Sequence, residues 1–221
     1  MKTLLNNINL SITGGCILLS IFLSVSCSST KLISSWKNPD CSIFKPKKIL
    51  VVGVTPNYEA RKAFEFQLIT ELNARKIKAL QSAVIFEKSF QDTKQTEKEI
   101  EAQVDKLLSK GYDTVLVSLV KGVNSNQSYG SKSPKKDYHL RKFIGYYLVY
   151  QEAYFKQDYY NDYNVFNIEA SIYSLNKDSD KYLVWVGSFD LVDPINSQKA
   201  SDYYVKTLIK ILEKENIIPK Q

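Results

Sequence analysis

Two nearly continuous apolar runs, rich in β-branched residues, constrain the fold of this chain more than any other feature. They are KILVVGV at residues 48–54 and TVLVSLV at residues 114–120. A strand that is covered on both faces lacks the polar–apolar alternation of a half-exposed strand, and such strands occur mainly in parallel sheets flanked by helices. The two runs therefore predict central strands of an α/β sheet.

The chain between these runs predicts two helices and a further strand. Apolar residues recur at helical spacing from Tyr58 to about Leu80, and AVIF at residues 83–86 reads as a short strand. A second helix is expected to begin after Thr96, which can cap it, and to end at Gly111. The order βαβαβ implies parallel strands joined by right-handed crossovers.

The last third of the chain changes pattern. Residues 166–175 and 182–191 are separated by the turn residues KDSD, which predicts an antiparallel hairpin. A final helix is expected to begin near Asn196 or Ser197, with Tyr204, Leu208 and Leu212 on its buried side. The predicted fold class is α/β, with a βαβαβ parallel core followed by an antiparallel β-hairpin and a C-terminal helix.

The N-terminal segment has the layout of a secretory signal. Lys2 is followed by polar residues and then by an apolar run from Ile17 to Val25. Nine residues span roughly 14 Å as a helix, whereas a membrane-spanning helix needs about 20 apolar residues. Residues 1–26 are therefore predicted to be a cleaved signal peptide, residues 27–45 a tether and extended lead-in, and residues 46–218 a single α/β domain.

The sequence LSVSC at residues 23–27 resembles a lipobox, the motif that directs acylation of a cysteine before signal cleavage. Ser24 occupies the position at which the motif usually has leucine. The resemblance implies that Cys27 carries palmitate-type acyl chains that anchor the protein to a membrane. The alternatives are an uncleaved N-terminal anchor and cleavage without lipid. If Cys27 is not acylated, a bridge to Cys41 becomes possible in an oxidising compartment.

The mature chain also resembles an uncharacterised family of bacterial lipoproteins, domain of unknown function 4136. The resemblance extends from Ser34 to about Ile218 and is carried by SSWKNPD, KKILVVGVTPN, ARKAFE, GYDTVLVSLV and IEASIYSLNKDSDKYLVWVGSFDLVDP. It implies an α/β domain of the bacterial envelope. It implies no activity, because none of these segments is a catalytic signature.

No motif of the chain predicts a catalytic centre, a metal site or a cofactor. His139 is the single histidine, and Gly53 lacks the GxGxxG spacing that brings a pyrophosphate close to the backbone. Glu59 and Glu65 are expected on a helix surface. Asp158 and Asp162, with Glu169, offer the carboxylates that an envelope hydrolase acting on a glycan would need, which is the alternative function.

A tyrosine-dense stretch is the most unusual feature of the chain. Its tyrosines are Tyr146, Tyr147, Tyr150, Tyr154, Tyr159, Tyr160 and Tyr163, and Lys135, Lys136 and Arg141 precede them. Tyrosine combines a flat apolar face with a polar tip and suits partner surfaces. The candidate binding surface therefore consists of Lys135, Lys136, Arg141, Tyr146, Tyr147, Tyr150 and Tyr154. The alternative is that many of these tyrosines pack against the sheet.

The charge of +7 attracts anionic partners, and a signal segment places such a partner outside the cytoplasm. The alternative is that the charge reflects a lysine-rich solvated surface. The sequence therefore predicts a lipid-anchored envelope lipoprotein, facing the periplasm from the outer membrane and binding another envelope protein or an anionic glycan or lipid. Nucleic acid is not expected as a partner. The role is expected to be non-enzymatic, and direct glycan or lipid binding by an open groove is a further alternative.

Overall fold

The structure is a computed structural model of the 221-residue chain. It describes residues 30–41, 44–55, 57–86, 93–123, 143–145, 147–148, 151, 165–175, 183–192 and 197–221.

Six strands form one mixed sheet in the order β1-β6-β5-β4-β2-β3. Their bounds are β1 Thr30–Lys37, β2 Lys48–Val54, β3 Lys78–Gln81, β4 Thr114–Val123, β5 Val165–Ser174 and β6 Leu183–Val192. Strands β3, β2 and β4 are parallel to one another, and every other neighbouring pair is antiparallel. We call the end at which β2, β3 and β4 finish the upper end of the sheet, and the end at which they begin the lower end.

Helices cover both faces of the sheet. They are α1 Tyr58–Ala74, α2 Ser82–Ile85, α3 Glu97–Ser109 and α4 Ser197–Lys214, and residues 143–145, 147–148 and 151 are also helical. Helices α1 and α4 pack on the first face, over a core that includes Val51, Leu116 and Trp185. Helix α3 and the described residues Phe143, Ile144, Tyr147 and Leu148 pack on the second face, over a separate core that includes Leu50 and Val117. The predicted α/β fold class, with its parallel core, antiparallel hairpin and C-terminal helix, is confirmed.

Local sequence signals explain the start of two helices. Asn57 caps α1 by accepting a hydrogen bond from the Ala60 backbone N–H. Thr96 and Glu99 form a reciprocal capping box at α3, in which each side chain accepts from the other residue's backbone N–H. The predicted start of α3 is therefore correct, and Gly111 follows its end in the left-handed conformation, with φ +77°.

The predicted helix from Tyr58 to about Leu80 is too long, and the strand predicted at residues 83–86 is misplaced. Helix α1 ends at Ala74, because Lys76 adopts a left-handed backbone with φ 63° that a continuing helix cannot contain. Strand β3 follows at once, and the Asn73 side chain brackets Ala79 by accepting from its N–H and donating to its carbonyl. Residues 82–85 form the short helix α2 instead of a strand.

The predicted lead-in contains the edge strand of the sheet. Residues 30–37 are extended, as expected, and they pair with β6 from Thr30↔Leu191 to Lys37↔Trp185. The register shifts between Leu32 and Ser34, which leaves Ile33 in a bulge, and the Ile33 side chain is exposed. A bulge at an exposed edge hinders pairing with another sheet.

Among the residues that the structure describes, no helix has both the length and the apolarity needed to cross a membrane.

Candidate functional site

The upper end of the sheet is where ligands bind in many α/β folds, because neighbouring loops there can leave toward opposite faces. Strands β2 and β4 are adjacent and parallel. After β2 the chain enters α1 on the first face, whereas the helical residues that follow β4 pack against the second core. The switch point therefore lies at the upper ends of β2 and β4.

Glu65 is a buried carboxylate at this end. One carboxylate oxygen accepts from the Gly53 N–H at 2.9 Å and from the Ser82 hydroxyl at 2.6 Å, and the other accepts from the Ser82 N–H at 3.2 Å. Strands β2 and β3 stop pairing at Val51↔Gln81. The Glu65 side chain thus continues the contact between the two strands beyond their last backbone pair.

Gly53 allows helix α1 to approach the sheet closely enough for this contact. A Cβ atom at this position would lie 3.0 Å from Cγ of Arg61 and 3.2 Å from Cδ1 of Phe64. Real side chains rarely tolerate contacts that short, so a larger residue would push α1 outward. The glycine serves close packing of the helix, a different role from that of a phosphate-binding glycine.

Burial raises the pKa of the Glu65 carboxyl group, while its hydrogen bonds from Gly53 and Ser82 and the nearby charge of Arg61 act in the opposite direction. The expectation that Glu65 lies on a helix surface is wrong, because its side chain is 1% exposed. Glu65 lies beside Phe64 and three positions before Leu68, at the margin of the buried stripe of α1. This position next to the apolar stripe is the feature of the sequence that could have predicted the burial of Glu65.

The second buried carboxylate, Glu169, lies on β5 and forms an ion pair with Lys121. Lys121 lies where the register of β4 and β5 shifts, between Val120 and Gly122. Such bulges redirect side chains at sheet ends. Glu169 alternates along β5 with Ile168 and Ala170, which belong to the core of the first face, so Glu169 faces the second.

The two buried carboxylates do not converge. Glu65 reaches the sheet from α1 on the first face, whereas Glu169 is on the second face and has its own cation. A glycosidase needs two carboxyl groups across one sugar. Glu65 and Glu169 form no such pair, and Asp158 and Asp162, like His139, lie outside the described residues.

Most of the predicted site lies outside the described residues. This applies to Cys27, Lys135, Lys136, Arg141, Tyr146, Tyr150 and Tyr154. Tyr147 is described: it is helical and half-buried, it packs against the core of the second face, and its ring centroid lies 6.0 Å from that of Phe143. The segment that carries the predicted lysine, arginine and tyrosine residues follows β4 and precedes β5. Its two attachment points, at Val123 and Val165, are therefore both at the upper end.

Within the described ranges, no group of three or more His, Cys, Asp or Glu side chains is placed to hold a metal ion. Cys41 is half-buried and packs against the core of the first face.

The sequence matches no protein-family model and no curated protein. Solved structures that resemble the fold include two of the PelC dodecamer from Paraburkholderia phytofirmans. One has a TM-score of 0.43 at 11% identity and covers 83% of this chain and 95% of that chain. The other, of a PelC variant, has a TM-score of 0.39 at 11% identity, with coverage of 84% and 96%. Lipoprotein GNA1162 from Neisseria meningitidis has a TM-score of 0.39 at 14% identity, with coverage of 80% and 100%.

Proposed function

We propose that the protein is a lipid-anchored lipoprotein of the bacterial cell envelope, attached through Cys27 and binding another envelope component. The observation that carries the proposal is the segment 1–27, in which a charged start and a short apolar run end in LSVSC. Membership of the lipoprotein family with domain of unknown function 4136 is part of the proposal. Ser28, directly after the anchor, fits sorting to the outer membrane, with the domain facing the periplasm.

The short distance between Cys27 and the fold supports an anchored domain. Strand β1 begins at Thr30, three residues after Cys27. Three extended residues reach at most about 10 Å. A lipid on Cys27 would therefore hold the upper end of the sheet close to the membrane surface, without a long flexible tether.

The contact surface that we propose is the basic and tyrosine-rich segment 132–163. Its chemistry, with lysine and arginine beside aromatic rings, suits an envelope protein or an anionic glycan or lipid. A non-enzymatic role is supported by the separate engagement of Glu65 and Glu169, which face opposite sides of the sheet. The proposed partner is thus recognised by binding and is not chemically changed.

Replacing Cys27 by serine is expected to abolish incorporation of labelled palmitate and to release the protein from the membrane fraction. Only an acylated cysteine provides the buried CH₂ groups, each of which contributes about 0.8 kcal/mol to membrane attachment. Cys41→Ser is the matched control and should retain full label. Equal labelling of the Cys27→Ser and Cys41→Ser proteins would show that Cys27 is not the anchor.

Replacing Tyr146, Tyr150 and Tyr154 together by alanine is expected to reduce the set of proteins or glycans that crosslink to the lipidated protein in its own membranes. Tyr147 is left unchanged because it packs against the core. Tyr203→Ala, which removes an exposed tyrosine of α4, is the control. An unaltered set of crosslinked partners in the triple variant would contradict the proposed surface.

A further inference from the structure

All three long helices begin at the upper end of the sheet. Helix α1 follows the end of β2, and α4 follows the end of β6. Helix α3 ends at the lower end, where the Lys48 ammonium group donates to the Lys110 carbonyl at 2.8 Å, so it also begins at the upper end. Strand β1 starts there as well, since Thr30 pairs with Leu191 near the end of β6.

This arrangement places the positive ends of three helix dipoles at the upper end. A helix N-terminus carries roughly half a positive elementary charge from the aligned peptide dipoles. The three dipoles point the same way, because each of these helices returns the chain from the upper to the lower end. Glu59, Glu97 and Glu99 in the first turns of α1 and α3 counter the dipoles of those two helices, whereas the first turn of α4 has no acidic residue.

Exposed side chains at the start of α1 suit a lipid headgroup region. Tyr58 is 58% exposed, and the Arg61 guanidinium lies 5.5 Å from the centre of its ring. Lys62 is exposed one position further along the helix, and Lys31 is exposed near the start of β1. Tyrosine is enriched at membrane–water interfaces, and each cation near an anionic leaflet contributes about 1 kcal/mol to attraction.

Three lysines of the lower end have a structural explanation. Lys110 directly follows α3, and Lys214 is the last residue of α4. A cation at a helix C-terminus stabilises the helix, because it offsets the negative end of the dipole. Lys48 also lies over the Tyr112 ring, at 4.2 Å. These three lysines therefore have roles in folding.

We infer that the upper end of the domain contacts the anionic headgroups of the membrane that holds the anchor, so that the N-termini of the helices face the bilayer. The inference rests on the proposed anchor at Cys27, and it adds the surface that contacts the lipid. A reach of at most about 10 Å from Cys27 to Thr30 brings this end to the bilayer. Helices of 13 to 18 residues then hold the lower end roughly 20–27 Å further away.

Fluorescence quenching by a headgroup-linked quencher in vesicles of phosphatidylcholine and phosphatidylglycerol tests the orientation. The lipidated chain carries Cys16→Ser and Cys41→Ser, and one fluorophore at a time is attached to a new cysteine. Lys62→Cys and Lys98→Cys mark the upper end on the first and second faces, and Lys214→Cys and Lys110→Cys mark the lower end on the same faces. All four lysines are exposed.

Quenching several-fold stronger at positions 62 and 98 than at 214 and 110 is the expected result. Equal quenching at all four positions would mean that an edge of the sheet contacts the membrane. Strong quenching at the two positions of a single face would mean that this face contacts the membrane. Either result would overturn the orientation while leaving the anchor intact, provided that the protein floats with the vesicles. A chain that does not float would overturn the anchor and the orientation together.

A matched pair of double variants tests the side chains. Tyr58→Ser with Lys62→Glu is expected to lower the quenching at position 98 at least twofold, because it removes the aromatic contact and reverses a charge at the surface. Tyr203→Ser with Lys210→Glu makes the same changes at exposed positions of α4 away from its start, and should leave that quenching unchanged. Equal effects of the two variants would exclude the start of α1 from the lipid contact.

Discussion

Substituting Gly187 by alanine is expected to lower the free energy of unfolding by about 3 kcal/mol, the upper part of the range for overpacked cores. A Cβ atom at this position would lie 2.3 Å from Cη2 and 2.8 Å from Cζ2 of Trp185, and 3.0 Å from Cε2 of Phe189. The indole cannot simply move aside, because Trp185 is fully buried and its Nε1–H donates to the Glu215 carboxylate at 2.7 Å.

Urea unfolding followed by circular dichroism measures this loss, with Ser188→Ala on the opposite side of the same strand as the control. The cause is tested in a Trp185→Phe background, where the two clashing ring atoms are absent. Gly187→Ala should then cost much less than in the unmodified chain. The same cost in both backgrounds would show that the indole is not the source of the strain.

Replacing Glu65 by alanine is expected to lower the free energy of unfolding by about 3 kcal/mol, because it leaves buried donors without acceptors. The Gly53 N–H, the Ser82 N–H and the Ser82 hydroxyl all lose their partner. Glu65→Gln should cost less, since its remaining carbonyl oxygen can still accept from Gly53 and Ser82. Glu59→Ala, at an exposed position of the same helix, should change stability by no more than about 0.5 kcal/mol.

The contribution of Glu65 to the free energy of unfolding is expected to depend on pH, and the direction follows from its pKa. Burial raises the folded-state pKa of this carboxyl group above its ordinary value of 4.5. The folded state therefore favours the protonated acid, and the contribution to stability is full below 4.5 and falls as the pH rises through the folded-state pKa.

The unmodified chain should accordingly lose stability relative to Glu65→Gln between acidic and neutral pH, by about 1.4 kcal/mol for each unit between the two pKa values. Denaturant midpoints of the two proteins across this pH range provide the measurement. If the unmodified chain instead gains stability relative to Glu65→Gln as the pH rises, the hydrogen bonds to the carboxylate outweigh the effect of burial on its pKa.

Elements with strong local signals were predictable from the sequence. Strands β2 and β4 contain nearly continuous apolar runs, and α3 begins at a threonine–glutamate capping box. The end of α1 was not predictable in the same way, because apolar spacing continues through Ile77 and Ala79 although Lys76 turns the backbone into the left-handed region. A pattern of apolar spacing does not reveal a single residue whose backbone conformation ends the helix.

The candidate site was less accessible to sequence reasoning. Glu65 was predicted on a helix surface, because glutamate is usually exposed and the groups that donate hydrogen bonds to its carboxylate are distant along the chain. Ser82 and Gly53 are brought to it only when β2 and β3 pair and α1 packs on Gly53. Tyr147 likewise owes its half-buried position to the second-face core, which the tyrosine pattern did not specify.

The sequence by itself determined the βαβαβ order and the hairpin, because these depend on local composition and periodicity, and it predicts a secretory signal on the same kind of local pattern. Tertiary structure decided that residues 30–37 join the sheet as its edge strand, since strand pairing is a contact between distant segments. It also decided that the start of β1 at Thr30, the starts of α1, α3 and α4, and both attachment points of the tyrosine-rich segment share the upper end. Parallel strands require helices that return the chain, which places the N-termini of α1 and α3 at one end. Helix α4 begins at the same end because it follows β6, which runs in the same direction as β4.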